Sequence, residues 1–430
     1  MSNQKNFTSI EPSQLLDRAK SFKEKGYRFC QACADSAEDG FEFVYSFANE
    51  EEVINLKFTA GIGESLDSIT FVYWNAFFDE LDMVKNFRIN FKHAAADHAE
   101  DYRRVQSLTG KMTERLDDIK YMTEHRTCKQ MVYAAERVPG SCGFGNSLGY
   151  CMAVEKAMGI RIPERGERLR IMLHELSRAQ SHLLNLSSLA KYIGSDALSS
   201  ICLKIREGIL DIFDKMTGSR IMLSVCCIGG IKKDISDEII TEARDTMTYL
   251  RQDMEKLSDM FFGDVSVRER LAGIGILDVK DAAEFCVGPA ARAAGIARDA
   301  RGSSFYNSIG FEPVTEEGGD CYARCRVKAK EVLQSIDIAK RAVEDIPGGN
   351  VNFEINAFRA GEAVVSVEQP EGQALYYVKT SDSEFLKLMN IKLPEICNMP
   401  ALVRAAENCD FVDVPVLALS MDSWAGDLKW

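Results

Sequence analysis

Missing from this sequence is any apolar run long enough to cross a bilayer. A membrane-spanning helix needs ~20 such residues, whereas the least polar stretch, Ile221 to Ile231, is eleven residues long and holds two glycines. A membrane contact is therefore expected only through partner subunits. A basic surplus is missing too. The formal charge is −13 and no Lys/Arg block accumulates, which excludes a nucleic-acid partner held through phosphates. The acidic balance reads as solubility and is compatible with docking to basic partner surfaces. The start, MSNQKNFTSIEPSQ, lacks a basic region followed by an apolar one, so no secretory signal is visible. With thirteen cysteines, a cytoplasmic, reducing compartment is expected, where thiols stay free unless they bind metal or do redox work. There is no internal repeat, no low-complexity tract, and no second cysteine pair at zinc-like spacing to match Cys30-x-x-Cys33.

What remains is an ordinary globular composition, 46% apolar and 27% charged over 430 residues, enough for a small module and a large core. Residues 41–47, 53–59 and 68–74 are short, aromatic and β-branched, and predict strands. Residues 75–91 follow as a helical turn and another short strand. The boundary is expected near residue 95, where HAAADHAEDYRR begins a polar helical region.

Beyond it the pattern is helical. Pro163 is placed to open a helix running to about Lys191, with Leu169, Leu173, Leu176, Ala179, Leu183 and Leu186 as its buried stripe. Ser236 is a good N-cap for a second helix, followed by Asp237 and Glu238 where the dipole favours anions. Its stripe is Ile240, Ala243, Met247, Leu250, Met254, Leu257 and Phe261. A third helix is expected from Asp320 to Val343, stopped by Pro347-Gly348-Gly349. GEAVVSVEQPEGQALYYVK then reads as a hairpin turning at Gln369 to Gly372.

Most candidate chemistry has a plain packing explanation. Cys30 and Cys33 read as ordinary thiols, Cys321 and Cys325 as packing groups on one helix face, and Cys226-Cys227 as core. His93 and His98, near Asp97, read as a solvated face. GGIKKD and AGIGIL lack the strand–loop–helix context of a nucleotide cradle.

One stretch resists such an explanation: Glu136-Arg137-Val138-Pro139-Gly140-Ser141-Cys142-Gly143-Phe144-Gly145-Asn146-Ser147, followed by Tyr150-Cys151-Met152-Ala153-Val154-Glu155. It resembles the large subunits of membrane-bound [NiFe] hydrogenases and the related 49-kDa subunit of respiratory complex I, whose metal-bearing form reads E-R-V-C-G-I-C-G-F-A-H-S, then Y-C-x-A-V-E. The resemblance continues in collinear order. It takes in HELSRAQSHL (174–183), VGPAARAAGIARDAR (287–301), GDCYARCRVKAKEVLQSI (319–336), IPGG (346–349), GEA (361–363) and SMDSWAGDL (420–428). More weakly, Ala76, Phe78, Glu80, Asp82, Phe87, Ile89 and Phe91 resemble the complex I 30-kDa subunit, while Leu81, Lys85 and Arg88 depart from it. Such a fusion is similar to the large subunit of formate hydrogenlyase. The fold this implies is α+β: a small α+β module over 1–95, then a mainly helical hydrogenase-like large-subunit bundle with small β elements over 96–430.

The same resemblance locates the departures. The family form supplies four thiolates from two C-x-x-C pairs, one near each end of the domain. Here the first pair is Pro139 and Cys142, and the histidine that follows is Asn146. The second falls on Asp422-Ser423-Trp424-Ala425-Gly426-Asp427, with an indole and a carboxylate in place of thiols, and a family arginine at the hairpin turn is Glu371. No metal or other cofactor is expected on this chain. The residues expected to line the ancestral cavity are Glu136, Arg137, Cys142, Asn146, Asp422, Trp424 and Asp427. A buried Glu136–Arg137 pair reads as structural, with Asp427 near Arg137 as a candidate to replace thiolate charge. The tail is similar to the complex I pattern, in which the emptied cavity is a quinone chamber. Only residues 93–113 separate module and bundle, so that chamber's histidine-bearing loop is expected to be deleted.

The resemblance implies a small iron–sulfur partner subunit, ion-translocating membrane subunits, a ferredoxin-like electron donor upstream, and attachment to the inner face of the cell membrane. Three functions stay open: a metal-free coupling subunit, an oxidoreductase acting on a quinone or sulfur compound, and an assembly scaffold.

Overall fold

Aromatic residues at alternate positions drive the first unit, Met1–Gln106, into a sheet; the second unit is Ser107–Trp430. The computed structural model describes residues 7–49, 52–92, 121–123, 125–138, 142–302 and 304–423. In the first unit these form β1 (Phe7–Ser9), α1 (Leu15–Glu24), β2 (Arg28–Ala37), β3 (Gly40–Ala48), β4 (Val53–Gly61), β5 (Ser65–Asp67), α2 (Phe77–Phe87) and β6 (Asn90–Lys92). The main sheet runs β1-β4-β3-β2, with β1 parallel to β4 and the other pairs antiparallel. Phe29, Phe43, Tyr45, Phe47 and Phe58 form its core together with Phe22 of α1. The rings of Phe43 and Phe58 stack 4.9 Å apart.

The strands expected at 41–47 and 53–59 lie within β3 and β4. The one expected at 68–74 does not form. The buried carboxyl of Glu80 accepts from the Ser68 hydroxyl at 2.6 Å and the Ile69 amide at 3.0 Å. The Val72 amide then turns back to the Ile69 carbonyl. A side chain thus takes the backbone donor that a strand partner would have used. β2 escaped the sequence pattern because its alanines and Asp35 are of types depleted in strands; its long pairing with β3 carries it, with an irregularity between Phe29 and Gln31.

The second unit begins with α3 (Cys128–Ala135), α4 (Gly143–Met158), α5 (Glu164–Tyr192) and α6 (Asp196–Thr217). A two-residue-per-strand hairpin follows, β7 (Cys226–Cys227) and β8 (Gly230–Ile231). Next come α7 (Asp237–Gly263), α8 (Val265–Leu271), α9 (Val279–Phe285), α10 (Gly288–Arg292), α11 (Ser304–Ser308) and α12 (Cys321–Ala342). The strands β9 (Gly361–Gln369), β10 (Gly372–Thr380) and β11 (Leu386–Lys392) precede α13 (Pro394–Glu407) and α14 (Val414–Ser420).

The leucine stripe of α5 is buried as expected, each member 1% exposed or less. Much of the polar face of that helix is buried as well, His174, Glu175, Arg178 and His182 included. Pro163 is the extended N-cap of α5 rather than its first turn. Ser236 caps α7, and all seven stripe residues are buried. Asp320 caps α12 by accepting from the Ala323 amide at 2.7 Å. That helix ends at Ala342, short of the Pro-Gly-Gly expected to stop it. The β9–β10 hairpin turns through Pro370-Glu371 with Gln369 paired to Gly372. It packs on α4 so closely that a Cβ at Gly149 would stand 2.2 Å from the Tyr376 ring. Among the described residues no helix is long and apolar enough to cross a membrane.

Burial raises the Glu80 carboxyl to about 7, against the bonds from Ser68 and Ile69. The unfolded chain loses this proton first as pH climbs, so the first unit loses stability between about pH 4.5 and 7. Glu80→Gln is expected to flatten that loss and to stabilise the sheet by ~1–3 kcal/mol at pH 8. Hydrogen exchange of β3 and β4 amides at pH 5 and 8 reads it; identical pH dependence in the variant would refute it.

Candidate functional site

Two helices carry polar residues at helical spacing into the same interior. Along α5 these are Glu175, Arg178, His182 and Asn185, and along α12 Arg324, Lys328, Glu331 and Ser335, all buried. The helices pack lengthwise, so the two rows meet. Arg178 donates to Glu331 at 2.7 Å and to the carbonyls of Glu368 and Gln369 at 3.1 and 2.7 Å. Arg292 of α10 reaches Glu331 and Glu368, both at 2.7 Å. Glu175 accepts from Arg301, Tyr306 and Ser335. Charges taken from water at this depth are tolerated only when paired and hydrogen-bonded, and here cations and carboxylates alternate.

The pairing sets the protonation. Burial pushes the Glu331 carboxyl up, but Arg292, the bond to His182 and Arg178 outweigh it and hold it well below the usual carboxylate range. Burial drives His182 down to about 4 despite Glu331, so this imidazole is neutral. Its Nε2 lies 3.0 Å from Glu331 and must carry the proton. Burial likewise drives His174 down to about 4.

The expected cavity residues border this network unequally. Cys142 is the N-cap of α4, and its thiol donates to the Ser177 hydroxyl on α5 at 3.3 Å. Burial pushes that thiol up to about 12, with Glu371 adding to the rise. Asn146, one turn on, accepts from Tyr376 at 2.6 Å and Gln369 at 3.3 Å. Gln369 in turn gives its carbonyl to Arg178. Asp422 is held in the left-handed region, φ 59°, just past α14. It pairs with Lys328 at 2.8 Å, and Lys328 also donates to Asn185 at 2.9 Å and the Ser420 carbonyl at 2.8 Å. Burial raises Asp422 to about 7, Lys328 opposing and Glu371 reinforcing. The Glu371 carboxylate adds to the rise of both Cys142 and Asp422.

Glu136 and Arg137 do not pair with each other. Glu136 is buried and accepts from the Ser224 amide and hydroxyl, both at 2.7 Å. Arg137 is exposed and donates to the Tyr133 carbonyl at 2.8 Å. Trp424 and Asp427, the link between Asp427 and Arg137, the histidines at 93 and 98, and the segment 93–113 lie outside the described residues. Lys328, Glu331 and Arg178 are site residues that the sequence pattern did not single out. The available signal was a second, polar row at helical spacing on α5 alongside the leucines.

Residues 193–360 match the family described as the 49-kDa subunit of respiratory-chain NADH dehydrogenase. An NADH-quinone oxidoreductase subunit of Solibacter usitatus is 32% identical over 317 residues, covering 72% of this chain and 86% of that protein. Membrane-bound hydrogenase subunit alpha of Pyrococcus furiosus is 29% identical over 343 residues, covering 75% and 80%. Among solved structures, the archaeal membrane-bound sulfane sulfur reductase complex holds a chain matching with TM-score 0.68 and 26% identity, covering 72% of this chain and 87% of that one. The fold places the protein among the helical large subunits common to hydrogenases and respiratory dehydrogenases. The chain belongs to the family of the 49-kDa subunit of respiratory-chain NADH dehydrogenase.

Removing Lys328 leaves Asp422 buried without its counter-charge. In the wild type the unfolded chain ionises first, so this group's contribution falls as pH rises from about 4 to 7. Lys328→Met is expected to cost ~3–5 kcal/mol at pH 8 and clearly less at pH 5, where Asp422 is protonated. Urea unfolding at the two pH values measures the difference; equal losses would contradict the pairing.

Proposed function

We propose that this chain is a peripheral subunit of a membrane-bound redox complex that works without a nickel–iron centre of its own. Electrons arriving at an iron–sulfur cluster in a small partner subunit, fed by a ferredoxin-like donor, drive charge movement that this subunit passes to ion-translocating membrane subunits. Attachment is to the inner, cytoplasmic face of the membrane, through those partners.

One observation carries the reading. The site where family members gather thiolates holds the single thiol Cys142, protonated and bonded to Ser177, while its far side holds the Lys328–Asp422 pair. That donor set does not fit nickel and iron, which call for several anionic sulfurs. It suits a site that takes up and releases a proton. Asp422 gains or loses one near neutrality, and Lys328 and Asn185 link it to the row of paired charges on α5 and α12.

A second reading, reduction of a sulfur compound in the remodelled cavity, is favoured by the likeness to the sulfane sulfur reductase complex and by Cys142 itself. A thiol pushed up to about 12 is a poor nucleophile at neutral pH, which sets this reading second.

The purified complex is expected to carry no stoichiometric nickel and no infrared bands of iron-bound diatomic ligands on this polypeptide; finding either ends the proposal. In inverted membrane vesicles, Asp422→Asn is expected to lower ion uptake per electron severalfold while donor oxidation continues, and Cys142→Ala to leave both unchanged. Loss of turnover in Cys142→Ala, with full coupling in Asp422→Asn, would establish the sulfur reading instead.

A further inference from the structure

Four large apolar side chains stand out from the flank formed by α9, α13 and the turn into α14. Ile276 is 60% exposed, Val279 63%, Phe411 92% and Val412 63%. Ile276 precedes α9 and Val279 opens it, while Phe411 and Val412 belong to the single 3-10 turn ahead of α14. The fold brings these two segments together. A Cβ at Gly275 would stand 2.5 Å from Leu417 of α14. Arg324 donates to the Gly275 carbonyl and to the Ser420 hydroxyl, each at 2.9 Å. Farther along, α9 lies against α13, with the Arg404 guanidinium 5.5 Å from the Phe285 ring. Exposed apolar groups scattered singly need no explanation, but gathered and rimmed by charge they mark an interaction surface.

The rim is one-sided in charge. Over residues 276–284 and 404–413 the acidic side chains are Asp278, Asp281, Glu284, Glu407, Asp410 and Asp413. Only Lys280 and Arg404 oppose them there, and Arg404 is held over Phe285.

We propose that this flank is the docking face for a protein partner that is apolar at its centre and basic at its rim, namely the cytoplasmic loops of a membrane subunit. Charge decides among the occupants. A second copy of this chain would bring an identical acidic rim against this one. An anionic lipid surface would be repelled in the same way. Loops on the cytoplasmic side of membrane subunits carry an excess of lysine and arginine, which is the complement this rim calls for. The inference rests on the peripheral-subunit reading above and adds where the attachment is made. The helix behind the face also holds the hairpin tip. Asn398 of α13 accepts from the Val287 amide at 2.8 Å and donates to the Glu371 carbonyl at 3.4 Å. A load on the docked face is thereby passed to the β9–β10 turn.

In membranes bearing the whole complex, a photo-reactive phenylalanine analogue at position 411 is expected to join this chain to an integral membrane subunit. Ile276→Ser with Phe411→Ser is expected to lower retention on washed membranes severalfold, and Asp410→Lys with Asp413→Lys to release the chain at lower salt than the wild type. The unfolding midpoint of the full chain is expected to be unchanged in both, which separates lost docking from lost folding. Cross-links only to a second copy of this chain would overturn the choice of partner. So would binding of the wild-type chain to protein-free phosphatidylglycerol vesicles that Ile276→Ser with Phe411→Ser abolishes. Undiminished retention of both double variants would overturn the face itself. Wild-type chain missing from the membranes would sink the peripheral-subunit reading, and this inference with it.

Discussion

The packing of α5 and α10 against α12 turns on one buried carboxylate. Glu331 accepts from Arg178 and Arg292 and faces His182, so residues from α5, α10 and α12 meet on two oxygens. An uncompensated charge at that depth would cost several kcal/mol. The leucine stripe could satisfy many helix rotations, but the Glu331 contacts accept one. Burial of apolar area supplies the driving force here, and the ion pairs supply register. Arg178 extends that register to the β9–β10 turn through two backbone carbonyls, which is how a hairpin distant in sequence comes to face Asn146 and Cys142.

Beside the α5–α12 network lies a buried carboxyl, Asp422, that titrates near neutral pH. Lys328 is neutralised by Asp422 and capped by two further acceptors, so a fixed cation stands beside a carboxyl whose proton is exchangeable near neutral pH. Cys142, bonded to a hydroxyl and far from ionising, behaves as a small neutral side chain. Glu371, at the β9–β10 turn, adds to the rise of both Cys142 and Asp422. A carboxyl that exchanges its proton near neutrality is what the proposed coupling role requires.

How much of this was legible beforehand depended on whether the determining contact was local. The stripes on α5 and α7 were readable because helical spacing is written in the residues themselves. The hairpin was readable because PEG between alternating apolar residues can do little else. The false strand at 68–74 had the right residue types, but Glu80, many residues on, claims its backbone. Glu136 and Arg137 are adjacent in sequence and suggest a pair, yet one points inward to Ser224 and the other outward. Lys328 looked like any helical lysine, because its partner Asp422 lies near the other end of the unit. Neighbouring residues give up their roles to a reader of sequence; partners far apart along the chain do so only once folded.

The contact of Gly149 with the Tyr376 ring has a mechanical meaning. With aromatic carbon seated where a side chain would begin, α4 and the β9–β10 hairpin have no slack between them. The Tyr376 hydroxyl, bonded to Asn146 at 2.6 Å, adds a second rivet one turn along the helix. Helix and hairpin must therefore travel as a single lever. A push on the Pro370-Glu371 tip would be felt at the first turn of α4 without first being absorbed by rearrangement of side chains in between.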